Sequence, residues 1–158
     1  MTRRITYLIL LAILLMPQVF ASDLAGPPKR SSGLWQVTPN SPFAWSICVS
    51  ADKDHLIDDD LWSNFDNECE LKSQQNNGQK YSFSAVCEKT TTLTGTIEGD
   101  FSSFYKAVAI TSFLLNGEKH NQTSTLEGRF IGECPLDMPP GTKKMMNGMT
   151  IKGIYEKR

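Results

Sequence analysis

The stretch Cys69-Glu70-Leu71-Lys72-Ser73-Gln74-Gln75-Asn76-Asn77-Gly78-Gln79-Lys80-Tyr81-Ser82-Phe83-Ser84-Ala85-Val86-Cys87 decides how this chain is read. Asn77-Gly78 signals a tight primed turn, which needs positive φ at both central residues. Gly78 stands midway between the two cysteines, so folding there sets Cys69 and Cys87 opposite each other on neighbouring strands. A β-hairpin closed by its own disulfide is therefore expected.

The chain has 158 residues and four cysteines. Four cysteines allow three pairings. The hairpin selects Cys69–Cys87 and leaves Cys48–Cys134. On the chain-entropy account the first bridge is worth roughly 3 kcal/mol and the second, closing a longer loop, somewhat more. No Cys-x-x-Cys pair occurs, which speaks against thiolate metal ligation.

Disulfides imply an oxidising compartment, and the first residues agree. Arg3-Arg4 precede an apolar run from Ile5 to Met16, Pro17 breaks it, and Val19-Phe20-Ala21 offers small residues at a cleavage site. Residues 1–21 thus read as a signal peptide. The run falls short of the ~20 apolar residues that cross a bilayer. Thr6 stands where a twin-arginine signal wants a bulky apolar residue, so general export is favoured, and no cysteine at the cleavage site invites a lipid anchor.

Basic residues number 16 and acidic residues 17 in the whole chain, and the signal removes only basic ones. The exported part is therefore mildly acidic, with scattered rather than striped cations, which leaves no footprint for nucleic acid.

Residues 22–32, with Gly26-Pro27-Pro28 and no apolar period, read as a mobile leader, and 33–158 as a single β domain. Gly33-Leu34-Trp35-Gln36-Val37-Thr38 alternates apolar and polar residues and opens the fold as a strand. Phe43-Ala44-Trp45-Ser46-Ile47-Cys48 follows, with Phe43, Trp45 and Ile47 expected on one face. From Ser50 to Trp62 the period changes; Ser50 can cap a helix, and Leu56, Ile57, Leu61 and Trp62 can form its apolar face. Strands are then expected over Thr90–Ile97, over Phe104–Leu115 ending at Asn116-Gly117, and over Ser124–Cys134, where Gly128 and Gly132 suggest bulges or a bend. A last strand is expected between Met149 and Tyr155. Together these predict a mainly β fold, an antiparallel meander forming a curved sheet or partly open barrel, with one short helix and two disulfides.

Three landmarks resemble the exported bacterial proteins grouped as domain of unknown function 3617. Gly33-Leu34-Trp35-Gln36-Val37-Thr38 is similar to their Gly-Leu-Trp-Glu-Val-Thr opening. Cys48-Val49-Ser50-Ala51-Asp52 stands where they carry a cysteine followed by Leu-Thr-Pro-Glu. Gly128-Arg129-Phe130-Ile131-Gly132-Glu133-Cys134 matches their glycine-spaced closing segment. The four-cysteine order and the Cys69–Cys87 spacing also fit. Here Gln36 replaces the usual acid and Leu-Thr-Pro is missing. The resemblance implies the β scaffold and a location in the periplasm of a Gram-negative cell, or secretion. It brings no activity, cofactor or catalytic residue.

The candidate chemistry is sparse. Asp52, Asp54, Asp58, Asp59, Asp60, Asp66 and Glu68 could bind calcium, but the glycine and terminal glutamate of an EF-hand loop are missing, and a solvated helix face accounts for the same residues. Met138, Met145, Met146 and Met149 could bind copper(I), or fill gaps in a core. His55 and His120 are the only histidines, and neither a Gly-x-Ser-x-Gly elbow nor a His-Glu-x-x-His stretch accompanies them. Asn121-Gln122-Thr123 is a glycosylation sequon, idle in a bacterium. Trp35, Trp45, Tyr81, Phe83 and Phe104 could face an apolar ligand inside a curved sheet, or form a filled core. The expectation is a non-enzymatic exported β protein without a cofactor, which binds an apolar small molecule or an envelope protein.

Overall fold

The computed structural model describes residues 26–56, 69–88 and 90–156. Nine strands follow in chain order: β1 (Gly33–Pro39), β2 (Trp45–Val49), β3 (Cys69–Asn76), β4 (Lys80–Cys87), β5 (Thr91–Gly99), β6 (Phe104–Leu115), β7 (Glu118–Gly132), β8 (Thr142–Met145) and β9 (Thr150–Ile151), then a 3-10 turn at Ile154–Glu156. They form one open, antiparallel sheet in the order β3-β4-β5-β6-β7-β1-β2-β8-β9. The meander β3 to β7 is joined through β1 to a second run of antiparallel neighbours.

Side chains alternate across a strand, so one face collects the apolar set. Trp35 and Val37, Trp45 and Ile47, Tyr81 and Phe83, Leu93 and Ile97, Tyr105 and Ala107, and Leu126 share one buried cluster. Trp35 lies 5.6 Å from Tyr105 and edge-on to Phe130 at 5.8 Å. Gly128 is needed there for its missing side chain, since a Cβ would stand 1.9 Å from the Tyr105 ring. The bend expected at Gly128 is thus a ring seat. The irregularity lies further on, between the pairs Leu34–Gly132 and Trp35–Phe130.

Both disulfides form as expected, Cys69–Cys87 across β3 and β4 and Cys48–Cys134 with 5.5 Å between Cα atoms. The hairpin turn differs from expectation. Gly78 alone has positive φ, and the Asn77 N–H donates to the Lys80 carbonyl, so the two central residues are Gly78-Gln79 rather than Asn77-Gly78. The Asn77 Oδ1 accepts from the N–H groups of Gln79 and Lys80, and the Asn76 Oδ1 from that of Gly78. The turn thus sits one residue later than expected and pairs Asn76 with Tyr81, and the shift between Leu71 and Ser73 then brings Cys69 opposite Cys87. Asn116-Gly117 instead has positive φ at both residues, and Leu115 pairs with Glu118 across it.

Cys48 and Thr142 face away from Ile47 and Lys143, yet are buried. The Cys48–Cys134 bridge draws the segment after β7 across the outer side of β2 and β8, where Met138 is also buried. Among side-chain polar atoms buried within the described residues, Thr142 Oγ1 has no hydrogen-bond partner.

Three further expectations are corrected. Phe43 precedes β2 and is exposed, because the Pro39–Pro42 turn releases the chain before the strand begins. The leader does not stop short of the fold: Arg30 is completely buried, and Ser31 N–H donates to the Phe101 carbonyl. Asp54, expected on a solvated helix face, is buried as the partner of Arg30. Ser50 to Leu56 begins with a turn, and the remainder of the expected helix lies outside the described residues.

Candidate functional site

The aromatic residues expected to face a ligand do not gather round one cavity. Trp35, Trp45, Tyr81 and Phe83 are buried in the packed face, and the Tyr81 ring stacks on Phe83 at 5.8 Å, its hydroxyl donating to Gln74 Oε1. Phe83 lies over Gly95, where a Cβ would come within 2.6 Å of its ring. Phe104 faces the other side of the sheet, under the Arg129 guanidinium at 5.1 Å. The five residues are divided between two faces and the core they enter is filled. Two surface grooves open among the described residues, one of about 400 Å³ with mostly polar lining between Asn77 and Asp100, and one of about 320 Å³ lined by Ser73, Gln74, Gln75, Ser82 and the edge of Phe83.

The other candidates are dispersed. His55 follows Asp54 at the end of the sheet where Arg30 meets Tyr105. His120 lies eight residues along β7 from Gly128, the register partner of Tyr105, or roughly 26 Å away at about 3.3 Å per residue. One active site cannot draw on both. Met138 is buried and Met145 packs on the core, whereas Met146 and Met149 are exposed. Among the described residues no three His, Cys, Asp or Glu side chains form a metal-binding group, and no helix is long and apolar enough to cross a membrane. Most of the acidic stretch, Asp58 to Glu68, lies outside the described residues. The Asp100 carboxyl is held well below the usual carboxylate range by the Ser103 hydroxyl and by the N–H groups of Ser103, Phe104 and Ser102. It is a turn brace.

One feature that sequence reasoning missed stands out from the sheet. β6 pairs with β5 only as far as Ser112, opposite Thr92, while β7 pairs with β1 only from Leu126, opposite Pro39. The Asn40 N–H adds one bond to the Thr125 carbonyl. Past Thr125 β7 therefore forms, with β6 behind it, an arm whose β1 side is open. β5 still backs β6 as far as Ser112, opposite Asn121, and only the last three pairs, Phe113–His120 to Leu115–Glu118, stand as a two-stranded tip. From Thr125 to Glu118 the open edge of β7 extends roughly 23 Å at about 3.3 Å per residue. Its register is unbroken from Phe104–Arg129 to Leu115–Glu118. Phe113 stacks on His120 at 6.0 Å, and the Ser112 hydroxyl donates to Asn121 Oδ1. At the tip, Leu114 and Leu115 are 59% and 54% exposed.

The arm leaves backbone groups unused. Thr125 bonds toward the β1 side, and antiparallel strands alternate the direction of their N–H and C=O groups. Thr123, Asn121 and Lys119 therefore direct theirs toward the same empty edge, while Gln122 and His120 bond to β6. All seven residues from Glu118 to Ser124 are exposed. The sequence signals for this arm were the apolar run of β6 and the Asn116-Gly117 turn that ends it; nothing in the polar stretch from Glu118 to Thr123 marked its second strand.

A family model described as protein of unknown function, DUF3617, matches residues 29–134. No curated protein and no solved structure matches the chain.

Proposed function

The chain belongs to the DUF3617 family, and on that footing we propose that it is a non-enzymatic binding protein of the bacterial envelope, exported by its N-terminal signal, which takes up an extended segment of another envelope protein as a strand beside β7. The observation that carries this reading is the arm's open edge. Three residues there, Lys119, Asn121 and Thr123, each offer an N–H and a C=O to an incoming backbone. Strand addition draws its affinity from such main-chain bonds. The two disulfides suit an oxidising, non-cytoplasmic compartment. The filled core supports a protein partner over an apolar small molecule.

The test uses proline, which cannot donate to a ladder. Thr123→Pro removes a donor on the open edge and spares the bonds to β6. A photo-crosslinker at Asn121, in the full-length protein expressed in its native envelope, is expected to capture one discrete component in the wild type and to lose it in Thr123→Pro. Equal capture by both proteins rejects the reading.

A further inference from the structure

A strand added beside β7 on the arm would be collinear with β1, because β1 is β7's neighbour on that side. Its lower end therefore lands on the Asn40–Ala44 turn. Three side chains make that floor apolar. Phe43 is 62% exposed on the turn itself. Met146, 77% exposed, is held beside it by its N–H bond to the Ala44 carbonyl. Met149, also exposed, is tied in by its carbonyl, which accepts from Met145 N–H.

Resting on the strand-addition reading, we propose that Phe43, Met146 and Met149 form a specificity ledge that selects segments carrying a large apolar residue at the end nearest Asn40. Every neighbouring pair in this sheet is antiparallel. Antiparallel addition to β7 gives the segment the direction of β1, with its N-terminal residues on the floor. The arm supplies backbone pairing, which tolerates many sequences, and the side chains of β7 along the edge are polar. Discrimination then falls to the floor, where methionines adapt to differently shaped apolar partners. A second copy paired through its own β7 would bring to the floor Glu118 and Lys119, which are charged, with exposed Leu114 and Leu115 beside them across the turn; a dimer in light scattering that Thr123→Pro abolishes would overturn the choice of a foreign segment.

The experiment is selection of phage-displayed random nine-residue peptides on the whole disulfide-bonded protein, followed by affinity measurement on Thr123→Pro, Phe43→Ser and Met146→Ser. The expected result is a set of peptides that lose binding to Thr123→Pro and share a large apolar residue near the N-terminus. Phe43→Ser and Met146→Ser should weaken these about tenfold and leave variants with serine at that place unchanged. Peptides sensitive to Thr123→Pro but indifferent to both ledge substitutions would overturn the ledge and leave strand addition standing. Peptides indifferent to Thr123→Pro would overturn both. Circular dichroism and thiol titration on each variant establish that fold and disulfides persist.

Discussion

Removing the Asp54 carboxylate should be among the most damaging single changes in this protein. Both side chains of the Arg30–Asp54 pair are inaccessible to solvent. Arg30 Nη2 donates to Oδ1 at 2.7 Å, Nε reaches both carboxylate oxygens at 3.2 Å, and the Arg30 backbone N–H donates to Oδ2 at 2.6 Å. The guanidinium also approaches the Tyr105 hydroxyl at 3.4 Å. Truncating one partner of a buried pair costs about 3–5 kcal/mol, chiefly because the other charge stays buried without its counterion. Asp54→Ala should therefore lose about 4 kcal/mol, against the roughly 5–15 kcal/mol that small domains possess. Urea unfolding with the disulfides intact should show it as a midpoint lowered by about 2 M, at a slope of about 2 kcal/mol/M. Arg30→Met combined with Asp54→Leu should recover most of the loss, since an apolar pair of similar volume carries no desolvation penalty. A loss below about 1 kcal/mol in Asp54→Ala, or a double variant as unstable as the sum of the singles, would refute this account of how the segment before β1 is held.

Thr142→Val should raise stability by about 1 kcal/mol in the same unfolding assay, because it replaces a buried hydroxyl that has no partner. Gly128→Ala should cost about 3 kcal/mol, as its methyl would overlap the buried Tyr105 ring, and Tyr105→Leu in the same chain should return part of it. The folded-state pKa of Asp100 lies below its unfolded value near 4, so its contribution is present above that pH and is lost as pH falls toward the folded value. Asp100→Asn should accordingly flatten the acid limb of a stability–pH curve below about pH 4 while changing its slope little near neutrality. Gln122→Pro should disrupt the arm itself, since its N–H bonds to β6, whereas Thr123→Pro should leave the amides of Phe113 and His120 protected from hydrogen exchange.

What could be read from the sequence was local or covalent. β6 was legible because its apolar run ends at Asn116-Gly117, and the Cys69–Cys87 bridge because its turn lies between its two ends. The Asn77 turn shows the limit of that logic. A midpoint argument recovered the cysteine pair only because the shift near Lys72 offsets the displacement of the turn to Gly78-Gln79. Arg30 was illegible for a different reason: an arginine beside prolines and serines looks solvated, and its carboxylate stands 24 residues later. The first half of β7 escaped because alternation reports burial on one face, and residues exposed on both faces have none to report.

That lack of alternation bears on what the arm is for. An exposed edge is a hazard that stable proteins blunt with bulges, inward charges or proline. β3, the outer strand at one end of the sheet, carries such devices: a register shift near Lys72, and Glu70 and Lys72 as an exposed ion pair. The arm's edge on β7 has no shift and no proline, and its charges, Glu118 and Lys119, are confined to the tip. Polar side chains keep Asn121, Gln122 and Thr123 compatible with water while their neighbours leave the backbone straight and accessible. A two-stranded ribbon is marginally stable by itself, and the arm beyond Ser112 has support only from its own pairs and the Asn116-Gly117 turn. A third strand beside β7 would supply what it lacks. Binding should therefore slow hydrogen exchange at Phe113 and Leu115, on the arm's far strand, as well as at the edge. Protection confined to Lys119, Asn121 and Thr123 would mean that the arm is already rigid and that docking does not complete it.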